Sequence, residues 1–210
     1  MYRFARMAQL TGNPTKSIEW AVTIAEKVNQ ISETPVSLWT TVLSPAVGLC
    51  AWTTTVDTVA EIETLDAKLM VDSGFVALQA AASEHILPGS VNDSLATIIY
   101  ETPLAQSGTF HYASITAAQV QPGQFRRGVE LGVEFAQKAH SLTGLETSFE
   151  AAVTGNMGTI TWAMAADTIE QLQRGEDTLN ADETFLKLID TEGAKAYQPN
   201  ATVSYFRRLL

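Results

Sequence analysis

The stretch GLCAWTTTVDT, residues 48–58, recurs 110 positions later as GTITWAMAADT, residues 158–168. The identical pairs are Gly48 and Gly158, Trp52 and Trp162, Asp57 and Asp167, and Thr58 and Thr168. Because tryptophan is rare, four identities at one constant spacing indicate an internal repeat. We therefore interpret the chain as a tandem duplication of one unit.

Other parts of the two halves align with small changes of spacing. Tyr2, Phe4 and Ala5 align with Phe110, Tyr112 and Ala113 at a spacing of 108, and Trp39 and Phe75 align with Phe149 and Phe185 at 110. Insertions and deletions in loops produce such changes. The predicted domains are residues 1–104 and 105–210, each of about 100 residues, which is a usual domain size.

The composition is that of a folded, acidic chain. Of its 210 residues 46% are hydrophobic and 17% are charged, which supports a buried core. A formal net charge of −10 disfavours nucleic-acid binding, which needs clustered Lys and Arg. The sequence shows one cysteine, Cys50, and neither a secretory signal nor an apolar run of about 18 residues. We expect a cytoplasmic protein without nucleic-acid or membrane partners.

Each half is predicted to fold as βαββαβ. Residues 2–9 have β propensity, and Ile18, Ala21, Ala25 and Val28 recur at helical spacing. The other predicted elements of the first half are strands over 36–43, 49–56 and 95–100 and helices over 58–69 and 75–84. Those of the second half lie over 110–118, 124–139, 145–153, 158–166, 168–193 and 201–208. This order is typical of a ferredoxin-like unit, whose antiparallel sheet carries both helices on one face.

Asp57 and Asp167 directly follow the third strand of each half. A carboxylate at that point can accept the free backbone N–H groups of a first helical turn. We therefore predict that both aspartates are helix N-caps.

Tandem βαββαβ units with an aromatic third strand and a long, broken second helix resemble the dimeric α+β barrel superfamily. That superfamily includes antibiotic-biosynthesis-monooxygenase-like and NIPSNAP-like domains. The resemblance implies an α+β fold in which two antiparallel sheets pack as a barrel, often around a pocket. No catalytic signature of a member matches residue by residue, so the resemblance assigns no active site.

Alternation along the first strand of each half predicts which side chains face that pocket. We expect small or aliphatic residues, such as Ala5, Met7 and Ala113, to face the helices, and the alternate residues to face the barrel interior. The predicted ligand-binding residues are Phe4, Arg6, Trp39, Trp52, Tyr112, Phe149 and Trp162. Aromatic walls with a few polar groups are typical of small-molecule sites.

Three functions remain open at this point. The first is binding of a small apolar or aromatic ligand in the barrel interior, or a role in assembly. The second is a cofactor-independent monooxygenase or isomerase acting on an aromatic substrate, with Arg6, His111, Tyr112 and Ser114 as the catalytic candidates. The third is a haem-binding or haem-degrading barrel, for which His111 is the candidate ligand.

Histidines and cysteines offer no metal-ligand spacing, and no phosphate-binding glycine motif is present. We expect no metal site and no cofactor in the first two functions. The functional residues are expected where the halves differ, as at Arg6, which the alignment places opposite Ser114. We also expect a homo-oligomer, because the aromatic-rich strands leave apolar surface to cover.

Overall fold

A computed structural model describes residues 1–103 and 110–210. These residues divide into two compact units, one of Met1–Leu95 with Arg207–Leu210 and one of Ala96–Phe206. The predicted domain boundary between residues 104 and 105 lies outside the described residues. The units also differ from simple halves of the sequence, because each takes strand residues from both halves.

The first half contains β1 (Tyr2–Gln9), α1 (Pro14–Ile31), β2 (Ser37–Leu43), β3 (Leu49–Val56), α2 (Val59–Val71), α3 (Ser73–Ala80), a 3₁₀ turn (Ala81–Glu84) and β4 (Asn92–Glu101). The second half contains β5 (Tyr112–Gln119), α4 (Phe125–Thr143), β6 (Glu146–Ala152), β7 (Thr159–Ala166), α5 (Ile169–Ala181), α6 (Glu183–Leu188), a π turn (Ile189–Gly193), α7 (Ala194–Ala196) and β8 (Thr202–Arg208). The predicted order βαββαβ is confirmed in both halves, apart from shifted ends and the breaks in the second helix.

The hydrogen-bonded strand order of the described residues is β1-β3-β2-β8-β5-β7-β6-β4, which is that of a closed barrel. The pairs β1·β3, β2·β3, β5·β7, β6·β7 and β4·β6 are all antiparallel. The predicted α+β barrel with antiparallel sheets is therefore confirmed.

The helices begin where local chemistry favours it. The side chain of Asn13 accepts the N–H groups of Thr15 and Lys16, and Pro14 stands at the first helical position, where a missing N–H costs nothing. Ala21, Ala25 and Val28 are buried, which confirms the face that the helical spacing predicted.

The prediction that Asp57 and Asp167 are N-caps is wrong by one residue. The caps of α2 and α5 are Thr58 and Thr168. Thr168 accepts the N–H of Gln171, and the Gln171 side chain returns to the backbone of Thr168, which completes a capping box. The backbone N–H of Asp167 also donates to Gln171. In α5 the threonine hydroxyl therefore accepts a backbone N–H as the carboxylate was predicted to do, whereas the Thr58 side chain makes no capping bond to α2.

The strand registers correct the alignment of the two halves. Arg6 pairs with Trp52 and Thr116 pairs with Trp162, so β1 and β5 correspond at a spacing of 110 rather than 108. Arg6 therefore corresponds to Thr116, and the counterpart of Ser114 is Phe4. In the sequence, a spacing of 108 aligns single aromatic residues of the two halves. The strand pairing in the structure instead fixes the correspondence of every residue in β1 and β5.

The second strand of each half needs a similar correction. Leu38 pairs with Trp52, and Phe149 pairs with Trp162. Phe149 therefore corresponds to Leu38 and not to Trp39. Because successive residues of a strand point to opposite faces, Trp39 lies on the face of β2 opposite to that of Leu38.

Each unit has its own hydrophobic core between sheet and helices. The first core includes Ala21, Ala25, Leu38 and Trp52, and the second includes Leu131, Phe135, Phe149 and Ile160. In both, the indole N–H of the repeated tryptophan donates to a helix carbonyl, from Trp52 to Ala21 and from Trp162 to Gly132. Both tryptophans therefore pack between the sheet and the first helix of their own half.

Candidate functional site

The strand face predicted to line the barrel interior lies beneath the helices instead. Phe4, Arg6 and Ala8 line a cavity together with side chains of α1 and α2. The alternation is as predicted, but the faces are exchanged. Both faces of β1 carry apolar residues, so alternation alone does not show which face the helices cover.

The first cavity lies within the first unit and has a volume of about 230 Å³. Its walls are largely apolar, with Trp20 and Trp52 among them. Arg6 is the charged residue of the lining, and its guanidinium binds the carboxylate of Asp93 through two hydrogen bonds of 2.8 Å. These bonds raise the pKa of Arg6 despite its burial. The positive charge of Arg6 is therefore already balanced by the carboxylate of Asp93.

The second cavity lies within the second unit and is larger, at about 670 Å³. Ligand sites usually measure about 300–1,000 Å³. The aromatic and aliphatic part of its lining includes Phe135, Ala136, Trp162, Met164, Leu179, Phe185 and Tyr197. This volume and lining make the second cavity the candidate functional site.

The aromatic wall of the second cavity is held in place by internal contacts. The Phe135 ring lies 6.0 Å from Trp162 and 5.9 Å from Phe185, and Trp162 meets Tyr197 edge to face at 5.3 Å. The Tyr197 hydroxyl donates to the carbonyl of Gly128 at 2.6 Å, and burial raises its pKa. The wall therefore presents ring surface rather than free polar atoms.

A carboxylate interrupts this apolar lining. The Ser114 hydroxyl of β5 donates to Oε1 of Glu176 on α5 at 2.9 Å. Burial raises the pKa of Tyr205 of β8, and the nearby Glu176 carboxylate adds to the effect. Glu176 therefore accepts the Ser114 hydroxyl and lies near that of Tyr205, while it also lines the cavity.

The two units differ most at this point. The residues corresponding to Ser114 and Glu176 in the first unit are Phe4, which lines the first cavity, and Asp66, which is exposed. The first unit therefore has no polar pair at the corresponding place. A buried hydroxyl that meets a helix carboxylate is a feature of the second unit.

The π turn forms part of the wall of the second cavity. Ile189, Asp190 and Gly193 belong both to the turn and to the lining. Before the turn, Phe185 corresponds to Phe75 at a spacing of 110. After it, the N–H of Gln198 donates to the carbonyl of Gln119 as that of Leu87 donates to the carbonyl of Gln9, so Gln198 and Leu87 correspond at a spacing of 111. The second unit therefore carries one extra residue here. Single-residue insertions into helices commonly form π turns, often at functional sites.

The structure separates the predicted site residues. Phe4, Arg6 and Trp52 line the first cavity, and Ser114 and Trp162 line the second. Tyr112 and Phe149 lie on the helix-facing side but outside the lining of the second cavity, and Phe149 is fully buried.

Trp39 lies away from both cavities. It is on the opposite strand face, donates to Thr53, and has the guanidinium of Arg208 5.9 Å from its ring centre.

His111 is exposed at the start of β5 and lines neither cavity. His85 stacks on Trp20, and Nδ1 of His140 bonds the carbonyl of Leu145. No described histidine therefore lines either cavity. Nor do the described residues contain a group of three or more side chains suited to a metal ion.

Sequence reasoning missed Glu176 and Asp190. The helical spacing of α5 carries a signal for Glu176, since the residue lies four positions after Leu172 and three before Leu179, both buried. A carboxylate on the buried, apolar face of α5 departs from the pattern of an amphipathic helix, and this departure is visible in the sequence. Asp190 carries no such signal, because its position depends on the π turn.

Within the described parts of the chain, no helix is long and apolar enough to span a membrane. No protein-family model matches the sequence, and the search of curated proteins found no match.

The fold, however, matches solved structures. A candidate monooxygenase from Fusobacterium nucleatum has 9% identity and a TM-score of 0.71, with 100% of this chain and 92% of that chain covered. An anthrone oxidase-like protein has the same identity and TM-score, covering 100% and 91%. A chlorite dismutase from Candidatus Nitrospira defluvii has 12% identity and a TM-score of 0.52, covering 97% and 90%. The chain therefore has the α+β barrel fold of these proteins.

Proposed function

We propose that the second cavity binds a small, largely aromatic molecule. The observation that carries this proposal is the cavity of about 670 Å³, whose aromatic walls are interrupted by the Ser114 and Glu176 pair. Apolar walls with a few converging polar groups are the usual composition of a small-molecule site. The smaller first cavity resembles the apolar packing voids that accept little more than a benzene-sized molecule.

The test is a thermal-shift and tryptophan-fluorescence screen of two- and three-ring aromatic molecules against the whole chain. Because Trp162 lines the cavity, a bound molecule should change its emission as well as raise the melting temperature. Absence of any response across such a panel would contradict the proposal and favour the alternative role in assembly.

A blocked variant locates the binding. Ala201 is exposed and lines the second cavity, so Ala201→Trp places a large ring at the entrance with little cost to folding. Ala181 is equally exposed but does not line the cavity, which makes Ala181→Trp the matched control. Loss of binding is expected in the first variant alone. Equal binding by both variants would place the ligand elsewhere.

A second candidate function is cofactor-independent oxidation or isomerisation of an aromatic substrate. Glu176 favours it, because a carboxylate beside an aromatic wall can remove a proton from a bound substrate. One of the structural neighbours is described as anthrone oxidase-like, which suggests anthrone as a first substrate to test. Oxygen uptake with anthrone that disappears in Glu176→Gln would support this function, and uptake that persists in the variant would exclude Glu176 as the base.

We also propose that the two units derive from one duplicated ancestor. The support is that both repeat the bond from the third-strand indole to a first-helix carbonyl, at Trp52 and Trp162. Related chains should carry both tryptophans. Relatives in which only one half has this residue at the aligned position would count against the proposal.

A further inference from the structure

We propose that the second cavity selects a protonated amine carried on an aromatic or aliphatic frame. This inference rests on the proposed function, since it assumes that the second cavity binds a small molecule. It specifies the charge and hydrogen-bonding character of that molecule.

The first argument is the charge of the lining. Glu176 and Asp190 are the charged residues that line the second cavity, and neither Lys, Arg nor His is among the lining residues. The first cavity has the opposite character, with Arg6 as its charged lining residue. A cationic group entering the second cavity therefore meets carboxylates without a competing lining cation.

The second argument is the direction of the hydrogen bonds. Several lining donors are already committed to acceptors in the protein: Ser114 to Glu176, Thr147 to the Ala136 carbonyl, Trp162 to the Gly132 carbonyl, Tyr197 to the Gly128 carbonyl and Gln121 to the Tyr197 carbonyl. A carboxylate has about four lone-pair sites. Ser114 occupies one of those on Glu176. The polar cluster thus has capacity to accept from a ligand that donates.

The third argument is the aromatic wall. A cation is attracted to the face of Trp, Tyr or Phe, and the attraction grows when water is excluded. Trp162, Tyr197, Phe135 and Phe185 all line the second cavity. An ammonium group bound to Glu176 would therefore gain from the rings as well, whereas a carboxylate would be repelled by both.

The test uses three ligands with one frame and different charge: 2-naphthylmethylamine, 2-naphthalenemethanol and 2-naphthoic acid. Calorimetric titration of the whole chain should give affinities in that order. A bond between charged groups typically changes affinity by about tenfold to a hundredfold, so Glu176→Gln should weaken amine binding by that factor and leave the alcohol within about threefold.

The matched control is Asp177→Asn. Asp177 is the next residue on the same helix, is exposed, and does not line the cavity. It removes the same formal charge as Glu176→Gln, so a specific role of Glu176 predicts unchanged amine affinity in the control. Equal weakening by both substitutions would show a general charge effect and overturn the inference.

The outcomes separate the two proposals. If none of the three ligands binds, the inference fails, and the screen of two- and three-ring aromatic molecules shows whether the proposed function fails as well. If the acid or the alcohol binds as tightly as the amine, or if Glu176→Gln leaves amine affinity unchanged, the inference fails while small-molecule binding stands. Retained alcohol binding in Glu176→Gln shows that the variant cavity is folded.

Discussion

At the residue scale, the contact between Gly132 and Phe149 shows how the two cores differ. A Cβ added at Gly132 would overlap ring carbons of Phe149, a side chain with no exposed surface. In the first unit the corresponding indole acceptor is Ala21, and the residue corresponding to Phe149 is Leu38. At this contact a smaller helix residue thus accompanies a larger strand residue in the second unit.

We predict that Gly132→Ala destabilises the protein. Alanine favours a helix by about 1 kcal/mol over glycine, but overpacking a rigid core costs about 1–3 kcal/mol. Since the overlap is with a fully buried ring, we expect a net loss of about 1–2 kcal/mol in the free energy of unfolding. Urea denaturation measures it.

The Phe149→Leu background provides the control. Adding Gly132→Ala to Phe149→Leu recreates the Ala21 and Leu38 combination of the first unit. In this background Gly132→Ala should therefore leave the free energy of unfolding unchanged or raise it by up to about 1 kcal/mol. A loss of the same size in both backgrounds would mean that Phe149 is not the obstacle.

The equivalence of residues in the two halves is easier to predict from the sequence than the partners that they contact. Trp52 and Trp162 are equivalent in the repeat, and both donate an indole N–H to a helix carbonyl. The partner of each was not predictable, since the spacing between strand and helix depends on loop lengths. For the same reason Trp39 was matched to Phe149, one residue away from its true counterpart.

At the element scale, the two second helices begin with different chemistry. Thr168 accepts the N–H of Gln171, whereas the Thr58 hydroxyl donates to Glu61 and accepts no backbone N–H of its helix. The sequence motif Asp-Thr is the same in both. The residue three positions after the threonine is Glu61 in α2 and Gln171 in α5, and in both helices its side-chain oxygen accepts the backbone N–H of the aspartate before the threonine.

Thr168→Ala is expected to lower the free energy of unfolding by about 1 kcal/mol, the usual effect of losing an N-cap. Thr58→Ala should have a smaller effect, because no capping bond to the backbone is lost. Thermal and urea denaturation of both variants measure the difference. Equal losses would show that the Thr168 hydroxyl does not act as a cap.

Elements were predicted better than their faces. Hydrophobic periodicity and turn residues predicted each strand and helix, because these signals are local. The face of β1 that carries Phe4 and Arg6 was assigned wrongly, because both faces of that strand contain apolar residues. The π turn was also missed, since one inserted residue leaves no composition signal. Of the candidate site, Ser114 and Trp162 were predicted, but their meeting with Glu176 depends on how α5 packs.

At the scale of the whole molecule, the single cysteine reports on folding. Cys50 is fully buried, and burial raises the pKa of its thiol to about 12. The reactive form is the thiolate. We expect slow reaction with a thiol reagent at pH 8 in the native protein and fast reaction in urea. Fast reaction of the native protein would mean that β3 opens readily.

The raised pKa also predicts alkaline destabilisation. The unfolded chain loses the thiol proton near pH 9, while the folded chain retains it to about pH 12. Stability from this group is therefore fully present below pH 9 and falls as the pH rises toward 12. The free energy of unfolding should decline more in the native sequence than in Cys50→Ala between pH 8 and 10. Parallel declines would assign the loss to other groups.

We further propose that the protein forms a homo-oligomer. Large apolar side chains are exposed at the hairpin tips of both units, with Val47 80% and Met157 88% exposed. Val42 and Leu43 are exposed near Val47, and Val153 is exposed near Met157, and groups of exposed apolar side chains commonly mark contact surfaces. Light scattering should give a multiple of the chain mass, and substitution of both residues by serine should reduce it. The mass of a single chain across the concentration range would exclude this proposal.

Each unit takes strand residues from both halves of the sequence, and this affects how the two halves behave when they are expressed as separate fragments. Ala96 and Thr97 of β4 pair with Ala152 and Ala151 of β6, while Leu38 of β2 exchanges backbone hydrogen bonds with Leu209 and Leu210. A fragment that stops before residue 104 keeps a strand end belonging to the other unit and lacks its own C-terminal edge. The second fragment has the reciprocal deficit. Expressed separately, the halves should be poorly soluble alone and should complement each other when mixed. A half that is soluble and unfolds cooperatively would show instead that the repeat visible in the sequence folds on its own.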